Sequence, residues 1–332
     1  MKVSLSDLEE AARSAIRSYG YDDAEGEAIL RVMMYAQLRG NNQGVVKLIG
    51  PGIPKKLDAS PIATTKETKL SALVDGGNNH AMIVVNHAVD IALAKAKEHG
   101  IGLVGVSQLG TSSGAIGFYA RRLADDGLIG FVFAGSMPTV AAEGSYEPMF
   151  GTNPLAIALP SDSSPVVLDM ATAAMAFYGV VEAKTAGREL PKGVAYDKDG
   201  SPTVDPAAAM DGALRTFDRG AKGSGLSLMV QALTGPLVGA SYVGIGDVAD
   251  NWGGHLVLAI DPELLGGVDV MREGVDAMVQ RVKAAKPLPG CQGVYAPGER
   301  GDQKAEASTL AGEVEVEDNL YDALRKVGDR VS

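Results

Sequence analysis

The chain has 332 residues, 46% of them apolar, which is enough for about two lobes with substantial cores. Lysine and arginine number 30 against 41 acidic residues, and the net charge of −11 argues against nucleic acid or an anionic membrane as the main partner. Aromatic residues make up only 5%, no 18-residue apolar run exists, and the single cysteine, Cys291, excludes both a disulfide framework and a thiolate zinc site.

The opening stretch "MKVSLSDLEEAARS" lacks the apolar segment of a signal peptide. With the lone cysteine, this points to the cytoplasm. Ser6 as N-cap, Glu9 three residues on and Gly20 as the stop predict a first helix. "DDAEGEAILRVMMYAQLRG" predicts a second, with Ile29, Val32, Met33 and Ala36 on one face. A short strand is expected over 62–75, and a long helix over 80–99 ending at Gly100. "IGLVGV" then reads as a strand, "SGAIGFYARRLADDG" as a helix and "LIGFVFAG" as another strand.

Farther along, "NPLAIALPS" and "PVVLDMA" read as short strands, and "KGVAYDKDGSPTVDP" as a loop. "GSGLSLMVQALTGPLVGA" predicts a buried helix limited by Pro236, "HLVLAIDP" a strand, and residues 263–285 a helical region. "PGERGDQKAEASTLAG" reads as a polar loop before a last helix, "NLYDALRKVGD".

The glycines of "GIGLVG" (100–105) have dinucleotide-fingerprint spacing, but the order of elements is inverted. That fingerprint follows a strand and opens a helix, so that the pyrophosphate meets the helix N-terminus. Here Gly100 closes a helix and the rest is the strand. The stretch therefore does not bind a dinucleotide. The four histidines, His80, His87, His99 and His255, include no pair at metal-ligand spacing. No nucleophile elbow is present, and "AKGSGL" lacks the upstream glycine of a phosphate loop.

Six longer stretches occur in a fixed order: "FGTNPLAIALP" (150–160), "PVVLDMATA" (165–173), "KGVAYDKDGSPTVDP" (192–206), "KGSGLSLMVQALTGPLVGA" (222–240), "NWGGHLVLAIDP" (251–262) and "APGE" (296–299). Together they resemble the malate/L-lactate dehydrogenase type 2 family of NAD(P)-dependent oxidoreductases. The resemblance covers nearly the whole chain. It implies an α/β fold with a non-Rossmann cofactor domain built on a largely antiparallel sheet, plus a helical domain made from both chain ends. The expected bounds are 75–260 for the cofactor domain and 1–74 with 261–332 for the helical, dimerising one. It also implies a homodimer and a small carboxylate substrate. Cofactor positions carried over are Ser136, Asp169, Met170, Ala171, Thr172, Lys222, Gly223, Gly298, Glu299 and Arg300. NAD and NADP stand equal, with Lys184, Arg188 or Lys192 available to a 2′-phosphate.

The chain departs from that family's pattern where imidazoles are expected. In "RGNNQGVVKL", Arg39 and Gly40 remain, Asn42 and Gln43 stand for Ser-His, and Lys47 stands for an arginine. Ser112 and Ala221 occupy two further histidine positions. A glutamine positions or polarises a carbonyl but does not titrate. Arg39, Asn42, Thr152 and Asn153 are the candidate substrate-binding residues, and Gln43, Lys47, Ser112, Tyr196 and Asp197 the candidate catalytic ones. Three readings follow. A protonated imino acid is reduced, with Lys47 as its carboxylate anchor. Alternatively, a keto acid or alcohol is processed, with Tyr196, Asp197, Lys47 or His80 supplying the proton. In the third, the cofactor is bound but the redox step is lost or replaced.

Overall fold

The computed structural model describes residues 1–49, 53–245 and 253–329, so Asn251 and Trp252 of the 251–262 motif lie outside the described residues. The chain starts with β1 (Lys2–Ser4), α1 (Leu5–Ser18) and α2 (Asp23–Leu38). The cap of α1 is Ser4 rather than Ser6: its side chain accepts from the Asp7 amide at 3.0 Å, so the box expected between Ser6 and Glu9 does not form. A reciprocal box does start α2, between Asp22 and Glu25. The face read from the sequence, Ile29, Val32, Met33 and Ala36, is fully buried.

The expected single strand over 62–75 is a hairpin, β2 (Ala63–Glu67) and β3 (Ser71–Asp75). The Thr68 hydroxyl accepts from the amides of Leu70 and Ser71 and turns the chain between them. Next come α3 (Ala81–His99), β4 (Ile101–Ser107), α4 (Gly117–Asp125) and β5 (Ile129–Ala134). Gly100 ends α3 at φ 85°, a left-handed C-cap, and "IGLVGV" is β4 itself, so no helix follows this glycine cluster as a fingerprint would require.

The middle contributes β6 (Val140–Ala141), β7 (Pro148–Phe150), β8 (Leu155–Leu159), β9 (Val166–Met170) and α5 (Phe177–Thr185). The stretch expected as loop holds two short strands, β10 (Ala195–Tyr196) and β11 (Pro202–Thr203); α6 (Pro206–Asp211), β12 (Ala213–Leu214) and α7 (Ala221–Thr234) follow. The remaining elements are β13 (His255–Ile260), α8 (Val268–Lys283), α9 (Glu299–Ala311), β14 (Glu313–Glu315) and α10 (Asp318–Gly328). The supposed polar loop at 297–312 is thus mostly α9. Only Ala305 on it is buried, so it carries no apolar stripe to announce it, while its Glu, Gln, Lys and Ala residues favour a helix.

The large sheet has seven strands in the order β2-β3-β4-β13-β5-β8-β9. Only β3 and β4 run parallel, joined through α3; every other neighbouring pair is antiparallel. Because β3 spans Ser71–Asp75 in this sheet, a boundary at 74/75 cuts a strand. A second sheet, β11-β10-β12-β6-β7, has its own small core around Val140, Phe150, Val180, Leu190 and Leu214. The chain ends meet where β1 pairs with β14, Val3 facing Val314, and α10 packs on α1. One hydrophobic core runs from Leu8 and Leu324 at those ends through Met82 and Val85 to Val104 and Val257 in the sheet. Each such leucine contributes about 2 kcal/mol by leaving water.

Candidate active site

At the Ala134 end of β5, where His255 begins β13 between Val106 and Ala134, segments from both halves of the chain converge on a cavity of about 170 Å³. Asn42 and Gln43 come from the loop after α2, residues 111–116 from the loop before α4, and Ser136 and Thr139 from the loop after β5. Thr152 and Asp169 stand on the facing side, and Phe177 and Tyr178 start α5.

A web of short hydrogen bonds fixes the floor. The Ser136 hydroxyl accepts from the Thr152 amide at 3.0 Å, and the Thr152 carbonyl accepts both the amide and the hydroxyl of Thr172. Asp169 accepts from the Gly117 amide at 2.8 Å, a carboxylate set against the positive end of α4. Its side chain is exposed on the cavity wall, yet protein encloses it on most sides. That enclosure pushes its carboxyl up to about 6, against the pull of the Gly117 amide.

Lys47 sits in the short 3-10 turn Val45–Leu48, which the Gln37 side chain helps to place by accepting from the Val45 amide. It is 3% exposed. Its ammonium donates to Ser112 Oγ at 3.0 Å and lies 3.5 Å from the centroid of the Tyr178 ring. Ser112 and Tyr178 line the cavity and Lys47 does not: its charge stands one layer behind the wall. Burial pulls its pKa down to about 7, and no carboxylate opposes the shift. It therefore does not touch a substrate carboxylate directly, as an anchor would.

His255, 2% exposed, has Nε2 2.7 Å from Ser113 Oγ. Burial pulls its imidazole down to about 3, against the neighbouring Gly254 backbone; Nδ1 has no hydrogen-bond partner of ordinary geometry among the described residues. The cavity wall is thus not free of histidine. His80, expected at a helix start, is the N-cap of α3: its Nδ1 accepts from the Met82 amide at 3.1 Å. It lies off the cavity, and burial first, then Lys47, holds it near 3.

Of the residues singled out from the sequence, Asn42, Gln43, Ser112, Ser136, Thr152, Asp169 and Ala171 line the cavity, and Lys47 supports its wall. The others lie elsewhere. Arg39 is engaged with Asp302, which Arg121 also reaches, so its guanidinium is bound to another helix. Asp197 Oδ1 accepts from the amides of Asp199 and Ser201 and caps the β10–β11 turn; the Tyr196 ring faces Arg215 at 5.2 Å. Neither faces the cavity.

Met170 pairs with Leu155 in the sheet, and Thr172 is buried beneath Thr152. Lys222 is exposed at the start of α7, where the Asp218 carboxylate already accepts the amides of Gly220 and Gly223. Gly298 approaches the Val167 carbonyl, Glu299 binds Lys283 and the Ala296 amide, and Arg300 stacks over Tyr295. Ala221, the third altered histidine position, is on α7 away from the cavity.

Asn153 is fully buried at φ 37°, and its amide donates to the Ser227 carbonyl and Gln231 Oε1, joining the start of β8 to α7. Its place is structural. Asn153→Ala is expected to lower the unfolding free energy by roughly 2–3 kcal/mol in urea denaturation, because it strands Gln231 and puts a Cβ-bearing apolar residue at positive φ. Unchanged stability would remove this assignment.

Sequence reasoning missed Ser113, Thr139, Tyr178 and His255. Their signals were a second serine beside Ser112, an aromatic residue at the start of a helix and, for His255, its place inside the 251–262 motif; nothing local marks Thr139.

Solved structures with this fold define the class. The chain superposes on a dehydrogenase from Sinorhizobium meliloti with a TM-score of 0.89 at 27% identity, over 99% of this chain and 98% of that one. It is 31% identical to the L-sulfolactate dehydrogenase of Methanothermobacter thermautotrophicus, over 86% of each chain. It is 33% identical to the delta(1)-pyrroline-2-carboxylate reductase of Ancylobacter novellus, over 100% of this chain and 99% of that one. The malate/L-lactate dehydrogenase family matches residues 3–325, and the chain belongs to it. It is an NAD(P)-dependent oxidoreductase.

Proposed function

We propose that the chain reduces a small 2-oxo or cyclic 2-imino carboxylate, or oxidises the corresponding 2-hydroxy acid, with NAD or NADP in a non-Rossmann cofactor domain. The observation that carries this reading is the make-up of the cavity: neutral donors Asn42, Gln43, Thr111 and Ser112 face Ser136, Thr152, Asp169 and Ala171 across about 170 Å³. Sulfolactate dehydrogenase and pyrroline-2-carboxylate reductase among the relatives support a carboxylate of this size.

Whether the cavity fits a nicotinamide is tested by its unpaired atoms. Among the described residues, Thr139 Oγ1 and His255 Nδ1 are buried on this wall without hydrogen-bond partners, and a carboxamide carries both a donor and an acceptor to satisfy them. A bound nicotinamide supplies or takes the hydride. Asn42 and Gln43 hydrogen-bond the substrate carboxylate, held in mutual register by the Gln43 Nε2 to Asn42 Oδ1 contact of 3.2 Å. Ser136 and Thr152 keep the facing side in place.

A homodimer is supported by the outer face of α7. There Gly225, Leu228, Met229 and Ala232 are exposed at helical spacing, and Leu237 continues the stripe. Light scattering tests it, and a monomeric mass would overturn it.

The reaction is tested by loss of reduced-cofactor absorbance with pyrroline- and piperideine-2-carboxylate, set against pyruvate, oxaloacetate and sulfopyruvate, each with NADH and NADPH. Turnover of at least one carboxylate is expected. Cofactor binding by thermal shift without turnover of any would overturn the reading.

A further inference from the structure

We propose that Ser112 and Lys47 form the proton-transfer pair of this cavity, Ser112 Oγ touching the reacting oxygen and Lys47 recharging it from behind the wall. The proposal rests on the oxidoreductase reading given above and concerns the same site.

The geometry of Ser112 is specific. Its Oγ accepts from the Lys47 ammonium at 3.0 Å and from the Gly114 amide at 3.4 Å. With both lone-pair directions taken, its own O–H is left to donate, and Ser112 lines the cavity. A carbonyl oxygen in the cavity is the partner that completes it. Lys47 touches no cavity space, so it acts only through Ser112 and is a positioning residue, whereas Ser112 is catalytic.

The proton balance closes. During reduction, as the substrate carbon gains a hydride, its oxygen takes the Ser112 Oγ proton. Ser112 Oγ takes one from Lys47 Nζ, leaving the neutral amine, and once product has left, solvent in the cavity returns a proton to the amine through Ser112 Oγ. In the oxidative direction the substrate hydroxyl proton passes to Ser112 Oγ while the Ser112 proton passes to the neutral amine. A serine hydroxyl alone is a poor acid or base at neutral pH; a neighbour that exchanges its proton there makes it competent.

Lys47 is such a neighbour. The groups facing it are the Ser112 hydroxyl, the Tyr178 ring on α5 and His80 at the start of α3. Burial holds its pKa near 7, so both protonation states are populated at working pH. Tyr178 is pushed up by its own burial and stays neutral, and His80 is held near 3 and stays uncharged. Neither competes for the proton.

The test measures kcat and KM against pH for the parent, Ser112→Ala, Lys47→Met and Lys47→Arg, with a 2-oxo carboxylate or its 2-hydroxy acid, whose oxygen must exchange a proton. Ser112→Ala is expected to lower kcat by about a hundredfold with little change in KM. Lys47→Met and Lys47→Arg are expected to lower kcat and abolish the inflection near 7, since neither side chain titrates there, while the Asp169 carboxyl on the facing wall keeps its own near 6. A Ser112→Ala enzyme with parental kcat, or a Lys47→Met enzyme that keeps the inflection, overturns the pair. If the parent turns over no carboxylate, the proposed reaction fails instead, and if it turns over only imino acids, kinetics do not involve the pair. Titration of carbon-13-labelled lysine by NMR in the parent then decides the pair alone: a Lys47 resonance that titrates near pH 7 and shifts in Ser112→Ala supports it, and one that titrates near 10 overturns it.

Discussion

Gly102→Ala is expected to be the most damaging single methyl group that can be added to this protein's large sheet. A Cβ built on Gly102 falls 1.9 Å from the Ala92 carbonyl oxygen and 2.7–2.8 Å from the Ala92 carbon atoms, all backbone of α3. No side chain can swing aside. Relief requires α3 to lift off β4, which opens the buried seam formed by Val85, Ala88, Val89 and Ala92. The loss is expected to be about 4 kcal/mol or more, beyond ordinary overpacking, and to show as insoluble protein or a collapsed urea midpoint.

Gly144→Ala is the matched control. Unlike Gly102, which has ordinary strand backbone in β4, Gly144 sits at positive φ, 80°, but nothing lies within 4 Å of its Cβ position, so only the backbone penalty of about 1 kcal/mol applies. Equal effects from the two would show that helix α3 and strand β4 are not packed backbone to backbone. The comparison also explains the glycines of "GIGLVG": Gly102 is small because a helix passes over it, and Gly100 because a helix ends there.

That stretch shows how much was legible in the chain itself. Where a segment has an apolar period and end signals, as in α2 with its Asp22–Glu25 box and α3 with Gly100 behind it, the elements were readable to within a residue or two. Where a helix buries almost nothing, as α9 does with Ala305 alone, hydrophobic pattern is silent and polarity misleads. The short strands β10 and β11 were hidden because a two-residue strand has no period to read.

The cavity was legible in part for a related reason. Asn42, Gln43, Ser112, Ser136, Thr152, Asp169 and Ala171 fall within recognisable motifs, and the fold brings them to one place. Tyr178, seven residues past Ala171, and His255, inside the 251–262 motif, join them, and only packing reveals that they face the cavity. The same packing takes Asp197 into its own turn and Arg39 to Asp302, uses that residue type does not announce. It also turns Lys47 away from open space and onto Ser112, so that two positions 65 residues apart become one unit.

Because that unit buries a lysine without a carboxylate, stability should depend on pH in a direction that sets it apart from a surface lysine. The folded-state pKa of Lys47 is pulled down from 10.5 to about 7, and the unfolded chain keeps the ordinary value. Between these values the unfolded state binds the extra proton, so unfolding becomes harder as pH rises from 7 toward 10.5. The cost of the buried charge is fully present below pH 7 and fades above it. Integrated from pH 7 to 10, the linkage amounts to roughly 3 kcal/mol.

Other groups also titrate in this range, so the clean measurement is a difference. Lys47→Met keeps the length and apolar stem of the side chain and removes the titration, and everything else cancels between variant and parent. In urea unfolding the variant should be at its best relative to the parent at pH 7, and the parent should gain on it by about 3 kcal/mol by pH 10. A gap that stays constant across this range would mean that Lys47 remains charged in the folded protein. The Tyr178 face and the Ser112 hydroxyl would then be solvating a permanent cation, and the neutral amine on which proton exchange with Ser112 depends would not exist.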